Sequence, residues 1–371
     1  MKSTHERESN FELMRIISMF MIILWHIIIH GKLITMSTGA TNLLYNFLLA
    51  LFVVHVNSFV LVTGYFQSKS KFSLKKFLRL FLLVWFYRVI ILLFLTQFKF
   101  IKLAPIDFII DLFPIGSGKY WFINCYLIIY LLSPFINKLI ENLKHNEYRK
   151  LLLISFLIFS IIPFITNNVT VSNNGYTIIQ FCYLYLLGAY FRKYPIKDNY
   201  HFKIYSREKR QLVFLFGFIF CAIANFVIII FAKQLNNCIN PVVNLFSKYI
   251  MNSQYNYSTP IDIIQSICYF LYFETLTIKN RFINKVASII LGVYLIHDND
   301  LIRLILYKKL RIDNGMMKGP RSIIYMFLCA ILIFTVCLLI EYTRNLITKF
   351  INNRKIVKKE KERFYNYISR I

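Results

Sequence analysis

The sequence has no Cys-x-x-Cys pair, no visible internal repeat and few acidic residues. The first absence argues against a zinc or thiol-redox centre built on cysteine. Cys125, Cys182, Cys221, Cys268, Cys329 and Cys337 lie in apolar runs, where a thiol behaves as a small hydrophobe. The second, together with the lack of paired broken helices, argues against a transporter made of inverted halves. The third leaves 44 Lys and Arg against 17 Asp and Glu, a net charge of +27. Such a balance can indicate nucleic acid. Here the cations fall in the gaps between apolar runs, where membrane topology and anionic headgroups place them, so nucleic acid is not expected as a partner. No linker leads towards a second soluble domain. Whatever the chain does is therefore expected to happen in a lipid bilayer or at its surfaces.

What is present is apolar: 57% of the 371 residues are hydrophobic and 18% aromatic. Mean hydropathy is +0.55. Long apolar runs separated by short basic loops predict an all-α, polytopic membrane helix bundle. About ten transmembrane helices are expected, near 11–30, 43–66, 77–98, 120–137, 151–168, 177–191, 211–232, 259–278, 284–306 and 322–348. The membrane-embedded domain then covers 1–348, and 349–371 is a basic tail that reads as a helix lying on anionic headgroups. The first run is long, carries Arg15 and lacks a small-x-small exit, so it is not read as a cleavable signal peptide.

Excess positive charge marks the cytoplasmic side. Segments 67–79, 138–150 and 192–210 are basic, whereas 31–42 has Lys32 alone and 167–176 has neither Lys nor Arg. With both termini cytoplasmic this alternation holds at every gap but one. Segment 303–321 should lie outside, yet it carries Arg303, Lys308, Lys309, Arg311, Lys318 and Arg321. Either a span is miscounted there or those charges serve a function.

The stretch 11–31, FELMRIISMFMIILWHIIIHG, holds three groups foreign to lipid: Arg15, His26 and His30. Arg15 and His26 are eleven residues apart. At 100° per residue that returns to within about 20° of one helix face, roughly 16 Å along the axis. Intramembrane ionisable groups are costly and by default functional. Arg15 alone reads better as an interfacial side chain that snorkels, with Glu12 three residues before it as a partner. His26 lies deep in the run, and a neutral imidazole suits removal of a proton from a hydroxyl near neutral pH. His26 and His30 have metal-pair spacing, but no matching carboxylate or cysteine cluster is evident in the sequence, so no metal is expected. Lys75, Lys76 and Arg79 open the third span, either as positive-inside charge or as a clamp for phosphates. Gly64 permits close helix packing. Gly116 and Gly118 form a flexible approach to Tyr120 and Trp121, which are interface anchors. Asn124 is a buried polar group one turn into the fourth span, and Ser133-Pro134 is an expected kink.

These segments together resemble the acyltransferase-3 family of integral membrane proteins, bacterial enzymes that O-acylate surface glycans. Arg15, ten residues, then His26 resembles the family's opening helix. VLVTGYF resembles its Ser/Thr-Gly-Tyr/Phe motif, and KKFLR its Arg-x-x-Arg motif with Lys76 in place of the first Arg. YWFINCYLIIYLLSPFINKLI, YSTPIDII and VYLIHDN resemble segments of its glycan-modifying members. The resemblance covers nearly the whole chain and implies transfer of an acyl group, usually acetyl, from cytoplasmic acyl-CoA to a sugar hydroxyl. The acceptor would be a lipid-linked or nascent surface polysaccharide at the plasma membrane. Arg15, Lys75, Lys76 and Arg79 would then hold the acetyl-CoA phosphates. His26 would be general base or acyl carrier, with Arg15 and Glu12 beside the reaction path. Asn57, Tyr120, Trp121, Asn124 and His297 would contact or orient the acceptor. Many family members carry an extra extracytoplasmic hydrolase-like domain, and none is seen in this chain. The competing expectation is a transporter or flippase of a lipid-linked glycan. Oligomeric state is not legible.

Overall fold

A computed structural model describes residues 7–352 except 103, 114–117, 167–172, 237–239, 253–255 and 311–318. The described residues contain helices and no strand. That follows from the medium: a lipid-embedded backbone must satisfy its own hydrogen bonds, and a helix does so within one segment.

Seven helical segments are long and apolar enough to cross a membrane. The first is α1 (Ser9–His30). The second, Gly39–Gln67, consists of α2 (Gly39–Phe52) and α3 (His55–Gln67), which meet at a turn at Val53 and Val54. α4 is Leu74–Gln97, followed by the short α5 (Pro105–Asp111). Then come α6 (Trp121–Asn142) and α7, which starts at His145 and runs within the apolar segment His145–Thr166. α8 (Ile178–Lys193) has 16 residues, and the long α9 (Arg207–Leu235) follows. α10 is Pro241–Asn252 and α11 is Pro260–Thr275. The expected ninth span is divided into α12 (Arg281–Ala287), α13 (Ile290–His297) and α14 (Asp300–Lys309). α15 (Arg321–Asn352) closes the described part. The ten expected spans thus divide into seven long segments, the shorter α8 and α11, and the broken 281–309. The expectations placed on Gly116, Arg311, Lys318 and most of the tail 349–371 fall outside the described residues. The helix itself continues past 348 to Asn352.

Local chemistry sets several helix ends. Ser73 caps α4 by accepting from Lys76 N at 3.4 Å, Thr259 caps α11 from Asp262 N at 3.2 Å, and Asn299 caps α14 from Leu301 N at 3.0 Å. Each satisfies an amide donor that a helix start leaves unpaired. Pro134 does not end α6, which runs on to Asn142. Proline has no N–H for the Tyr130 carbonyl, and the Ser133 hydroxyl donates to that carbonyl at 2.7 Å instead.

α1 is the central element, packed against α2, α3, α11, α12, α13 and α15. α4 lies further out and presents Leu82, Phe86, Leu93 and Phe94 as an exposed apolar face suited to lipid. The tightest crossing joins α3 to α8. A Cβ built on Gly64 would sit 2.1 Å from the Tyr185 carbonyl oxygen, and one on Gly188 would sit 2.1 Å from that of Leu61. The two helices meet backbone to backbone, which only glycine allows.

Candidate active site

Arg15 and His26 line the same cavity of about 930 Å³. At one end the rim carries Arg7, Glu8, Glu12, Arg15, Lys69, Lys76 and Arg192. Arg15 Nη1 donates to Glu12 Oε2 at 2.9 Å, and Arg7 Nη1 is 3.6 Å from Glu12 Oε1. Arg192 Nη1 donates to Tyr65 Oη at 3.0 Å, with its guanidinium 4.7 Å from the centre of that ring. Apolar walls from α1, α3 and α6 lead from this rim to a chamber holding His26, His30, His55, Asp298 and Arg303. Trp121, Tyr176 and Tyr257 form an aromatic side of the chamber, with Trp121 and Tyr257 stacked at 6.0 Å.

The chamber is organised by the turn at 297–300. His26 Nδ1 is 3.3 Å from His297 Nε2 and 3.4 Å from Asp298 Oδ1. His297 is buried, and its Nδ1 lies 2.6 Å from the Val293 carbonyl oxygen one turn earlier in α13. Arg303 on α14 reaches back with Nη1 3.0 Å from His30 Nε2 and 3.4 Å from Asp298 Oδ1. One of the cations that made 303–321 anomalous as an outside loop thus belongs to the chamber. Lys308 and Lys309 are exposed.

A charge cluster, buried at Arg88 and Asp111 and half-buried at Lys119 and Asp300, pins this turn. Arg88 on α4 is fully buried. Its Nη2 is 2.5 Å from Asp111 Oδ1, and it also pairs with Asp300. Lys119 Nζ is 2.6 Å from Asp300 Oδ2 and 3.7 Å from Asp111 Oδ1. Asn299 Nδ2 donates to Tyr120 Oη at 2.7 Å, and Tyr120 Oη donates to the Leu295 carbonyl at 2.7 Å. Gly118 and Tyr120 are both left-handed, with φ of 77° and 51°. The approach to α6 is therefore held in an uncommon backbone form against the 297–300 turn. Two cations and two carboxylates compensate one another, the condition under which charges persist away from water.

Of the residues singled out from sequence, Arg15, Glu12, His26, Lys76, Tyr120 and Trp121 line the cavity, and His297 stands directly behind His26. Lys75 and Arg79 are exposed and do not line it. On α4 the residues turned to the cavity are Lys76 and Leu80. Asn57 is buried away from the cavity, donating to the Tyr257 carbonyl at 2.9 Å and to Ser266 Oγ at 3.1 Å. Asn124 donates to the Lys119 carbonyl at 2.8 Å. Both tie backbone segments together and do not reach the cavity. Sequence reasoning missed Asp298, His55 and the Arg88 cluster, and flagged Arg303 only as an anomalous charge without a place in the site. Arg88 had a signal, since it interrupts the apolar run FYRVIILLFL.

The arrangement can bind an anion at one end, take a proton from a hydroxyl at the other, and keep both partners within one enclosure. His26, His30 and Asp298 also each offer a donor atom within 4.8 Å of the others, the spacing of a possible metal-ligand set. The acyltransferase-3 family model, described as an acyltransferase domain, matches residues 8–342. No curated protein and no solved structure matches the chain.

Proposed function

The chain belongs to the acyltransferase-3 family, and from that premise we propose that it moves an acyl group, usually acetyl, from acyl-CoA to a sugar hydroxyl. The acceptor in this reading is a lipid-linked or nascent surface polysaccharide at the plasma membrane. The cationic rim faces the cytoplasm and receives the CoA phosphates. Arg15 and Lys76 are its principal contacts, Arg as a fork and Lys as a point charge. The thioester reaches along α1 to His26.

The base assignment rests on hydrogen-bond bookkeeping. A carbonyl oxygen only accepts, so His297 Nδ1 carries the proton it gives to Val293. Neutral His297 then has its lone pair on Nε2. His26 Nδ1, 3.3 Å away, donates to that lone pair. His26 is left with a free lone pair on Nε2, the atom a general base needs. In the transfer step, the sugar hydroxyl oxygen bonds to the thioester carbonyl carbon while His26 Nε2 takes the hydroxyl proton. The tetrahedral intermediate expels the CoA sulfur, which receives that proton. The C–S bond is exchanged for a C–O ester bond, with no net change of charge. Asp298, near His26 Nδ1, steadies the transient imidazolium.

The observation that carries this reading is the single cavity shared by Arg15 and His26. The test compares wild type with His26→Ala in the source cell, measuring ester-linked acyl groups on the surface glycan. Loss of acylation with folded, inserted protein is expected. Full acylation by His26→Ala refutes the mechanism. Unchanged acylation but lost glycan export on removing the protein favours a transporter.

A further inference from the structure

His26 and His30 sit one turn apart on α1, and the fold brings them a carboxylate that is remote in sequence. One donor atom from each of His26, His30 and Asp298 lies within 4.8 Å of the other two. Ligands bound to tetrahedral zinc at about 2.0–2.1 Å are about 3.4 Å from one another. The His26 Nδ1 to Asp298 Oδ1 distance is 3.4 Å. Asp298 is only 9% exposed; its buried Oδ1 makes no satisfying hydrogen bond among the described residues, is approached at 3.4 Å by His26 and Arg303, and shares its surroundings with the Tyr294 hydroxyl. A charge is already held there: Arg303 Nη1 touches His30 Nε2 and Asp298 Oδ1, two of the three donors. Its side chain is 31% exposed.

We infer that His26, His30 and Asp298 form an inhibitory site for a divalent transition cation of the zinc class, in which the metal replaces the Arg303 guanidinium. Two imidazoles and one carboxylate suit zinc, cobalt, nickel or copper and do not suit the oxygen-seeking magnesium or calcium. The expected consequence, which rests on the general-base reading above, is inhibition. A neutral imidazole has one ring lone pair, so a His26 that binds metal cannot also take a proton.

The test uses purified full-length protein in detergent, stripped with chelator and titrated with Co²⁺ as the probe. Visible absorption of tetrahedral Co²⁺ and its displacement by Zn²⁺ report binding without reference to activity. Wild type should take up one Co²⁺ per chain. His30→Ala should bind about tenfold more weakly or worse. Arg303→Gln should bind more tightly, because it removes the competing cation, a direction that general damage to the chamber would not produce. Zn²⁺ should inhibit acyl transfer over the range in which it displaces Co²⁺. The proposal is overturned if wild type shows no tetrahedral Co²⁺ signal, if His30→Ala binds as wild type does, if Arg303→Gln binds more weakly, or if bound Zn²⁺ leaves transfer unaffected. If the metal binds as described but metal-free protein transfers no acyl group, the site stands and the acyltransferase reading falls.

Discussion

Substituting Gly64 or Gly188 by alanine tests how α3 is seated and what its seat does for the cavity. The added methyl carbon would lie 2.1 Å from a carbonyl oxygen of the facing helix, 1.3 Å inside the 3.4 Å at which ordinary contact begins. A backbone carbonyl cannot rotate away as a side chain can, so the two helices must part by about that distance. Overpacking of this kind costs roughly 1–3 kcal/mol. Separation by an ångström also forfeits a quarter to a half of the dispersion energy along the seam. Each single substitution should lower the detergent-phase unfolding midpoint by roughly 2–10 °C. The double substitution should cost less than the sum by about 0.5 kcal/mol or more, since the first alanine has already made the gap the second requires. α3 also supplies Thr63, Phe66 and Gln67 to the cavity near the cationic rim. Gly64→Ala should therefore raise KM for acyl-CoA more than KM for the acceptor. Additive losses, or a midpoint unchanged in either single variant, would refute the close crossing.

Three further outcomes follow from the chamber and its supports. His297→Phe removes the acceptor for His26 Nδ1 and should lower kcat roughly 10- to 100-fold, less than the 10²–10⁴-fold range for losing a general base, with KM for acyl-CoA unchanged; steady-state kinetics checks this, and a pure KM effect contradicts it. Arg88→Met leaves Lys119 as the remaining cation beside the Asp111 and Asp300 carboxylates and should cost about 1–3 kcal/mol, read as lost thermal stability; adding Asp300→Asn should restore part of it. Lys76→Ala should raise KM for acyl-CoA, more so at low ionic strength, whereas Arg79→Ala should have the smaller effect, because only Lys76 lines the cavity.

The helical, membrane-embedded architecture was readable because hydropathy reports on lipid directly. The Arg15–His26 relation was readable because both lie on one helix, where spacing fixes direction. Residues whose roles depend on closure of the chain were not readable. Asp298 and Arg303 reach α1 only when 297–303 folds back across more than 250 residues of sequence. Lys76 and Arg79, three apart, share a helix face in outline, yet the cavity meets that face along Lys76 and Leu80. Asn57 and Asn124 had the polarity of binding residues, but their amides are used by neighbouring backbone carbonyls. The break within 281–309 escaped hydropathy for a related reason: α12, α13 and α14 are too short to cross singly, and the turn between the last two carries the site.

The charges along the cavity are unequally shared between its ends. At the rim five cations, Arg7, Arg15, Lys69, Lys76 and Arg192, face two carboxylates, Glu8 and Glu12, a net of +3. In the chamber Lys119 and Arg303 face Asp298 and Asp300, a net of zero. Low-dielectric walls focus such a difference into a potential gradient. A polyanion would be drawn to the rim and gain nothing by travelling further, so it could dock in one orientation only and would leave by the door it entered. An uncharged partner feels no such pull. The cavity thus has a built-in electrostatic polarity, set by where its fixed charges stand.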